Sequence, residues 1–181
     1  MKIRLPNPMA WLRRFRGDEA GNTTIEFVIL FPLFMVLFLS AIESGIYMTR
    51  YVMLERGLDD TVRAIRLGTT NQVDVDDVKQ MICSGAAVIP DCQNVVKVEM
   101  IRVDPLNHVQ LAARADCVDR NDPAAPARNF ATGESNDFML LRVCALFNPL
   151  FPTTGLGFQM PREDGDSYAL VSMSAFVMEP G

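Results

Sequence analysis

The sequence predicts an α+β fold: one long N-terminal helix, membrane-spanning and then amphipathic, with a short second helix, packed on a three- to four-stranded antiparallel sheet. Three observations predict it. An apolar run follows a basic leader, helical periodicity continues past that run, and the rest of the chain alternates strand-like segments with turn residues. At 181 residues the chain holds one domain of ordinary size and an appendage. The predicted organisation is a leader over 1–21, a transmembrane helix over 22–48, and an exported amphipathic helix and α+β domain over 49–181.

Charge divides along the same lines. Residues 1–21 hold Lys2, Arg4, Arg13, Arg14 and Arg16 against Asp18 and Glu19, a net +3, while the remaining residues hold twelve basic and twenty acidic side chains, a net −8. So acidic a region repels phosphate backbones, which excludes nucleic acid as a partner. A basic leader stays beside anionic lipid on the cytoplasmic side, and the rest of the chain is exported.

From Phe27 to Ile42 there are sixteen residues without a charge, and extension to Tyr47 makes twenty-one, interrupted only by Glu43. Twenty-one residues rise about 31 Å, the thickness of a hydrocarbon core of about 30 Å, so one helix spans a membrane once. Pro32 sits early in the run, where a spanning helix tolerates a bend. Ser40 with Ser44 and Ala41 with Gly45 space small residues four apart, as helix contacts in lipid require. Glu43, near the outer interface, reads as a side chain that snorkels to water.

Beyond the run, Tyr51, Leu54, Leu58, Val62 and Ile65 recur at three and four residues as one apolar stripe, with Arg56, Asp59, Asp60 and Arg63 opposite. The helix is expected to end at Gly68. Asp74 before "VDDVKQMIC" reads as the N-cap of the short helix, with Asp76 and Asp77 in its first turn and Val73 positioned to staple onto Val78. "VVKVEMIRV" (Val95 to Val103) reads as a strand. Residues 109–117, where Val109, Leu111, Ala113, Ala115 and Cys117 alternate with polar residues, read as its hairpin partner. "DRNDPAAPARNFATGESN" (119–136) is turn-rich, "FMLLRVCALF" (138–147) is apolar on both faces except at Arg142 and reads as a central strand, and "SYALVSMSAFVM" (167–178) closes the sheet.

Cys83, Cys92, Cys117 and Cys144 all follow the apolar run, and none forms a C-x-x-C pair. Two disulfides in an oxidising compartment fit this better than reduced thiols or zinc. Three connectivities exist. Adjacency in the element order favours Cys83 with Cys92 and Cys117 with Cys144, loops that stabilise by about 2.7 and 3.6 kcal/mol on the chain-entropy model.

Catalytic chemistry is missing from the sequence: no G-x-S-x-G, H-E-x-x-H, Walker or G-x-G-x-x-G motif occurs. His108, the one histidine, reads as a solvated strand residue. Asp74, Asp76 and Asp77 lack the glycine and distal glutamate of a calcium loop, and Glu163, Asp164 and Asp166 read as a solvated loop. Neither an enzyme, a cofactor nor a metal site is expected.

A basic leader, Gly21, a short polar stretch, glutamate fifth and an aromatic sixth, then an apolar helix, resembles the signal of type IV pilin-like proteins. "TIEFVILFPLFMVLFLSAIESG" followed by "LERGLDDTVRAIRLG" is similar to the TadE-like minor pseudopilins of the tight-adherence (Tad, Flp) pilus system, through Glu26, Phe27, Pro32, Glu43, Gly45 and Gly68. "FNPLFP" before the final strand is similar as well. The excursion at 119–136 and the second cysteine pair leave a TadF-like sibling open. The resemblance implies a pilin-like fold and cleavage between Gly21 and Asn22 by a prepilin peptidase. It further implies a bacterial inner-membrane location with a periplasmic domain, and other pilins and pseudopilins as partners. Glu26 then offsets the α-amino charge created at Asn22, on its own or a neighbouring subunit. A competing reading is a periplasmic binding protein whose first 44 or so residues are a conventional signal peptide cut near Ser44.

Overall fold

The computed structural model describes residues 22–67, 73–104, 112–119, 125, 127–163 and 165–180. Its elements are α1 (Asn22–Arg66), α2 (Val75–Gly85), α3 (Cys92–Val95), β1 (Val96–Arg102), β2 (Phe138–Phe147), α4 (Gly155–Gln159) and β3 (Tyr168–Val177). The architecture is the α+β arrangement that the sequence predicts. The three strands form one antiparallel sheet in the order β1-β2-β3.

α1 runs unbroken through Pro32 for 45 residues, about 67 Å of rod. Its first half exposes Phe27, Leu30 and Phe34; its second half buries Leu54, Leu58, Val62 and Ile65 against the sheet. The predicted stripe therefore faces the core, while Arg56, Asp59, Asp60 and Arg63 face outward. Gly68, the expected terminator, lies outside the described residues.

α2 starts as its residues dictate. The Asp74 side chain accepts from Val75 N–H at 2.6 Å and from the Asp77 backbone N–H, and Asp77 accepts from Asp74 N–H at 3.2 Å, a capping box that satisfies amides the helix leaves free. Val73 and Val78 are both buried in the core. α2 approaches α1 at two glycines: a Cβ on Gly85 would stand 2.7 Å from the Gly57 Cα, so side chains at this crossing would force the helices apart. Cys83 and Cys92 are bonded across the turn that follows α2.

β2 is central because it alone is apolar on both faces. Met139, Leu141, Val143, Ala145 and Phe147 point to the helices, while Leu140, Arg142, Cys144 and Leu146 point the other way. Of the expected hairpin between 95–103 and 109–117, the described residues 112–117 form no strand. β1 pairs with β2, Val96 opposite Ala145 through Arg102 opposite Met139. Residues 112–119 instead cross the outer sheet face as irregular chain, and residues 105–111 lie outside the described residues. The physical reason is bulk: the 109–117 alternation puts small residues at 113, 115 and 117, whereas β2 offers a large apolar surface to neighbours on both sides. Phe130 adds a single parallel bridge to Met100 on the free edge of β1.

Candidate functional site

The residues the sequence singles out fall on α1 and on two clasps that hold loops in place. Gly21, the expected residue before cleavage, lies outside the described residues, as does the basic leader. Asn22 opens α1. Glu26 follows one turn later, where spacing of four places residues on one helix face, and it is exposed. Around it Phe27 stacks on Phe31 at 5.0 Å and Phe34 on Phe38 at 6.2 Å. Phe34 is 61% exposed. From Phe27 to Leu39 this half of the rod is apolar on every side, as a helix solvated by lipid is.

The expectation that Glu43 snorkels to water is corrected by the structure. Glu43 is only 1% exposed. Leu150 N–H donates to its two oxygens at 3.1 and 3.0 Å, and Phe151 N–H donates at 3.1 Å. A loop from the far end of the chain covers the acid and satisfies it with main-chain donors. Ser40 extends the clasp: its hydroxyl donates to Val36 C=O at 2.7 Å and accepts from Leu156 N–H at 3.2 Å. Gly155, at φ +54, lies so close that a Cβ there would collide with Ser40 Oγ. Of the two small-residue rows, the Ser40 row is thus occupied by this chain's own loop. Ala41 and Gly45 remain exposed, with nothing within 4 Å of a Cβ at Gly45.

Just above the clasp an aromatic cluster joins α1 to the sheet. Tyr47 and Phe147 lie 5.7 and 5.9 Å from the Tyr168 ring, and Arg50 sits 4.7 Å over Phe147 while donating to Tyr168 Oη at 3.1 Å. Burial pushes the Tyr168 phenol above its ordinary pKa, with Arg50 pulling it partly back.

The second clasp lies on the outer sheet face. Glu99 stands directly opposite Arg142 in the β1-β2 register. Arg142 contacts Glu99 Oε2 through Nη2 at 2.5 Å and Nε at 2.8 Å, and both side chains are buried. The same guanidinium donates to Ala112 C=O at 2.9 Å and Arg114 C=O at 3.4 Å, while Glu99 accepts from Asp116 N–H at 3.0 Å. Asp116 in turn binds Lys97 at 3.3 Å and Arg128 at 3.4 Å. Cys117, bonded to Cys144, fastens the end of this segment to β2. A cleft beside the disulfide is lined by Arg114, Asp119, Arg128 and Glu163. Its charges are mixed in sign, and its nearest polar network is occupied in holding the segment down.

His108 and Asp164 lie outside the described residues. Asp74 and Asp77 form the cap, and Asp166 pairs with Arg162 at 2.9 Å. Among the described residues no group of three or more His, Cys, Asp or Glu is placed to hold a metal.

Residues 21–63 match the family model described as TadE-like protein. The match starts at the expected cleavage glycine and runs through the apolar half of α1 into its core-facing half. It contains Glu26, Phe27, Pro32, Glu43 and Gly45, and so bears out the resemblance those residues carry; Gly68 and "FNPLFP" fall beyond it. No curated protein and no solved structure matches the chain.

Proposed function

We propose that this chain is a non-catalytic, membrane-anchored assembly component of a Tad-type pilus, a minor pseudopilin of the bacterial inner membrane with its N-terminus cytoplasmic and its head periplasmic. One observation carries the proposal: a continuous helix whose first half is a largely exposed apolar run and whose second half is the core helix of the head. Such a rod displays a lipid- and helix-binding surface while fixing a folded domain to it. A prepilin peptidase cuts between Gly21 and Asn22. The new α-amino group then lies one turn from Glu26, which offsets its charge within the subunit or in a neighbour. The open Ala41 and Gly45 row receives the helix of another pilin or pseudopilin, and the chain serves piliation, and through it adhesion and biofilm formation.

The buried clasp disfavours a signal peptide cut near Ser44. That cut would remove Ser40 and Glu43 and leave the Leu150, Phe151 and Leu156 amides without their acceptors. N-terminal sequencing of the membrane-extracted protein tests the proposal. A chain beginning at Asn22 is the expected result; one beginning at Met1 in membranes that contain the peptidase contradicts it, and a soluble chain beginning near Gly45 supports the binding-protein reading. Glu26→Ala is expected to insert normally and to impair piliation, whereas normal piliation would remove the role given to Glu26.

A further inference from the structure

The clasp on Glu43 and Ser40 has an unusual location. Counting back from Tyr47, where the aromatic cluster begins, Ser40 and Val36 lie about 10 and 16 Å down the helix axis. Those positions belong to the apolar run, not to the part of α1 that packs under the sheet. The loop that reaches them, Asn148 to Pro161, is fourteen residues long and contains no charged side chain. It leaves Leu150 50% and Phe158 67% exposed.

We infer that this loop, with α4 at its tip, dips into the outer leaflet of the membrane beside α1, with Leu150 and Phe158 in contact with lipid. The inference rests on the anchoring proposed above and adds a second point of membrane contact. The occupant is lipid because the loop's exposed apolar residues are continuous with the exposed face of the spanning helix. The chain's three tyrosines, Tyr47, Tyr51 and Tyr168, stand just above, where membrane interfaces concentrate aromatic side chains.

Irregular backbone at that depth requires that its polar groups find partners within the protein, and the loop meets much of that requirement. Pro149, Pro152 and Pro161 have no N–H to satisfy. Leu150 and Phe151 N–H are taken by Glu43 and Leu156 N–H by Ser40, while Thr154 and Met160 N–H donate to Phe151 and Leu156 C=O at 3.3 and 3.1 Å. Arg162, the first charge after the loop, reaches back to Pro152 C=O at 3.1 Å, as a cation at the lipid boundary does. This gives the acid in the apolar run a reason: Glu43 pairs the Leu150 and Phe151 amides where the loop enters lipid.

Depth-dependent fluorescence quenching tests it. In the full chain carrying Trp11→Phe, single tryptophans are introduced as Phe158→Trp, Phe34→Trp in the spanning half, and Val177→Trp at the far end of β3. Each variant is reconstituted in phosphatidylcholine–phosphatidylglycerol vesicles containing lipids spin-labelled at shallow or deep acyl positions. Phe158→Trp is expected to be quenched at least about threefold more than Val177→Trp, most strongly by the shallow label, the depth at which interfacial elements lie. Phe34→Trp is expected to be quenched by the deep label. If Phe34→Trp is quenched and Phe158→Trp is not, the loop inference is overturned and the anchor stands. An unquenched but blue-shifted emission from Phe158→Trp overturns it as well, because protein then covers the loop. If Phe34→Trp is also unquenched, the anchoring and the inference fall together.

Discussion

Glu43 and Glu99 are both buried acids that hold a distant loop, and they are satisfied in opposite ways. Glu99 meets a guanidinium in a cross-strand pair, and Arg142 spends its remaining donors on the covering segment. Glu43, among the described residues, meets backbone N–H groups. The Glu99 clasp lies over a sheet in the head, where several charges can share one network. The Glu43 clasp lies on a helix in the apolar run, where a cation would be hard to place. Burial of the same side-chain type thus produces an ionic latch in one region and a main-chain latch in the other.

The largest effect is expected from breaking the ionic latch on one side. Arg142→Leu leaves Glu99 buried and unpaired and should destabilise the head by about 3–5 kcal/mol, while Glu99→Leu combined with Arg142→Leu should recover most of that loss. Thermal unfolding in detergent, followed by near-ultraviolet circular dichroism, reads both. A double variant no better than the single would mean the latch acts through more than the pair. Removing the Cys117–Cys144 bond by paired alanines should lower stability by about 3.6 kcal/mol, against about 2.7 for Cys83–Cys92. Equal losses, measured the same way, would show that loop length does not govern the difference.

Glu43→Ala should cost less, about 2 kcal/mol for amides left without an acceptor. Its signature is local: hydrogen exchange at Leu150 and Phe151 should rise steeply while exchange at Asp116 stays unchanged. A rise at both sites would mean that the two latches are one cooperative unit. The smallest change, Asp74→Ala, removes the α2 cap at about 1 kcal/mol and should leave exchange at both latches as it was.

What could be read from the sequence was periodic and local. The apolar run, the stripe from Leu54 to Ile65, the Asp74 cap and the strands at 138–147 and 167–178 each declare themselves within about a dozen residues. Both latches depend on partners far apart in the chain: Glu43 and Phe151 are separated by 108 residues, Glu99 and Arg142 by 43. The strand expected through 112–117 is absent for a related reason, since alternation reports a face to bury without naming the neighbour. Signals for the latches were present as exceptions. Arg142 is the lone charge in a strand apolar on both faces, and Glu43 the lone charge in the apolar run. The uncharged stretch around "FNPLFP" was visible too, but only the fold brings it to Glu43.

The claim on which the rest depends is that the exposed half of α1 crosses a membrane and delivers the head to the far side. A C-terminal epitope on the full chain, probed with protease added to intact spheroplasts, measures this directly. Digestion of the epitope with survival of a cytoplasmic marker is the expected result; an epitope that resists digestion until the spheroplasts are lysed would contradict a membrane-crossing α1.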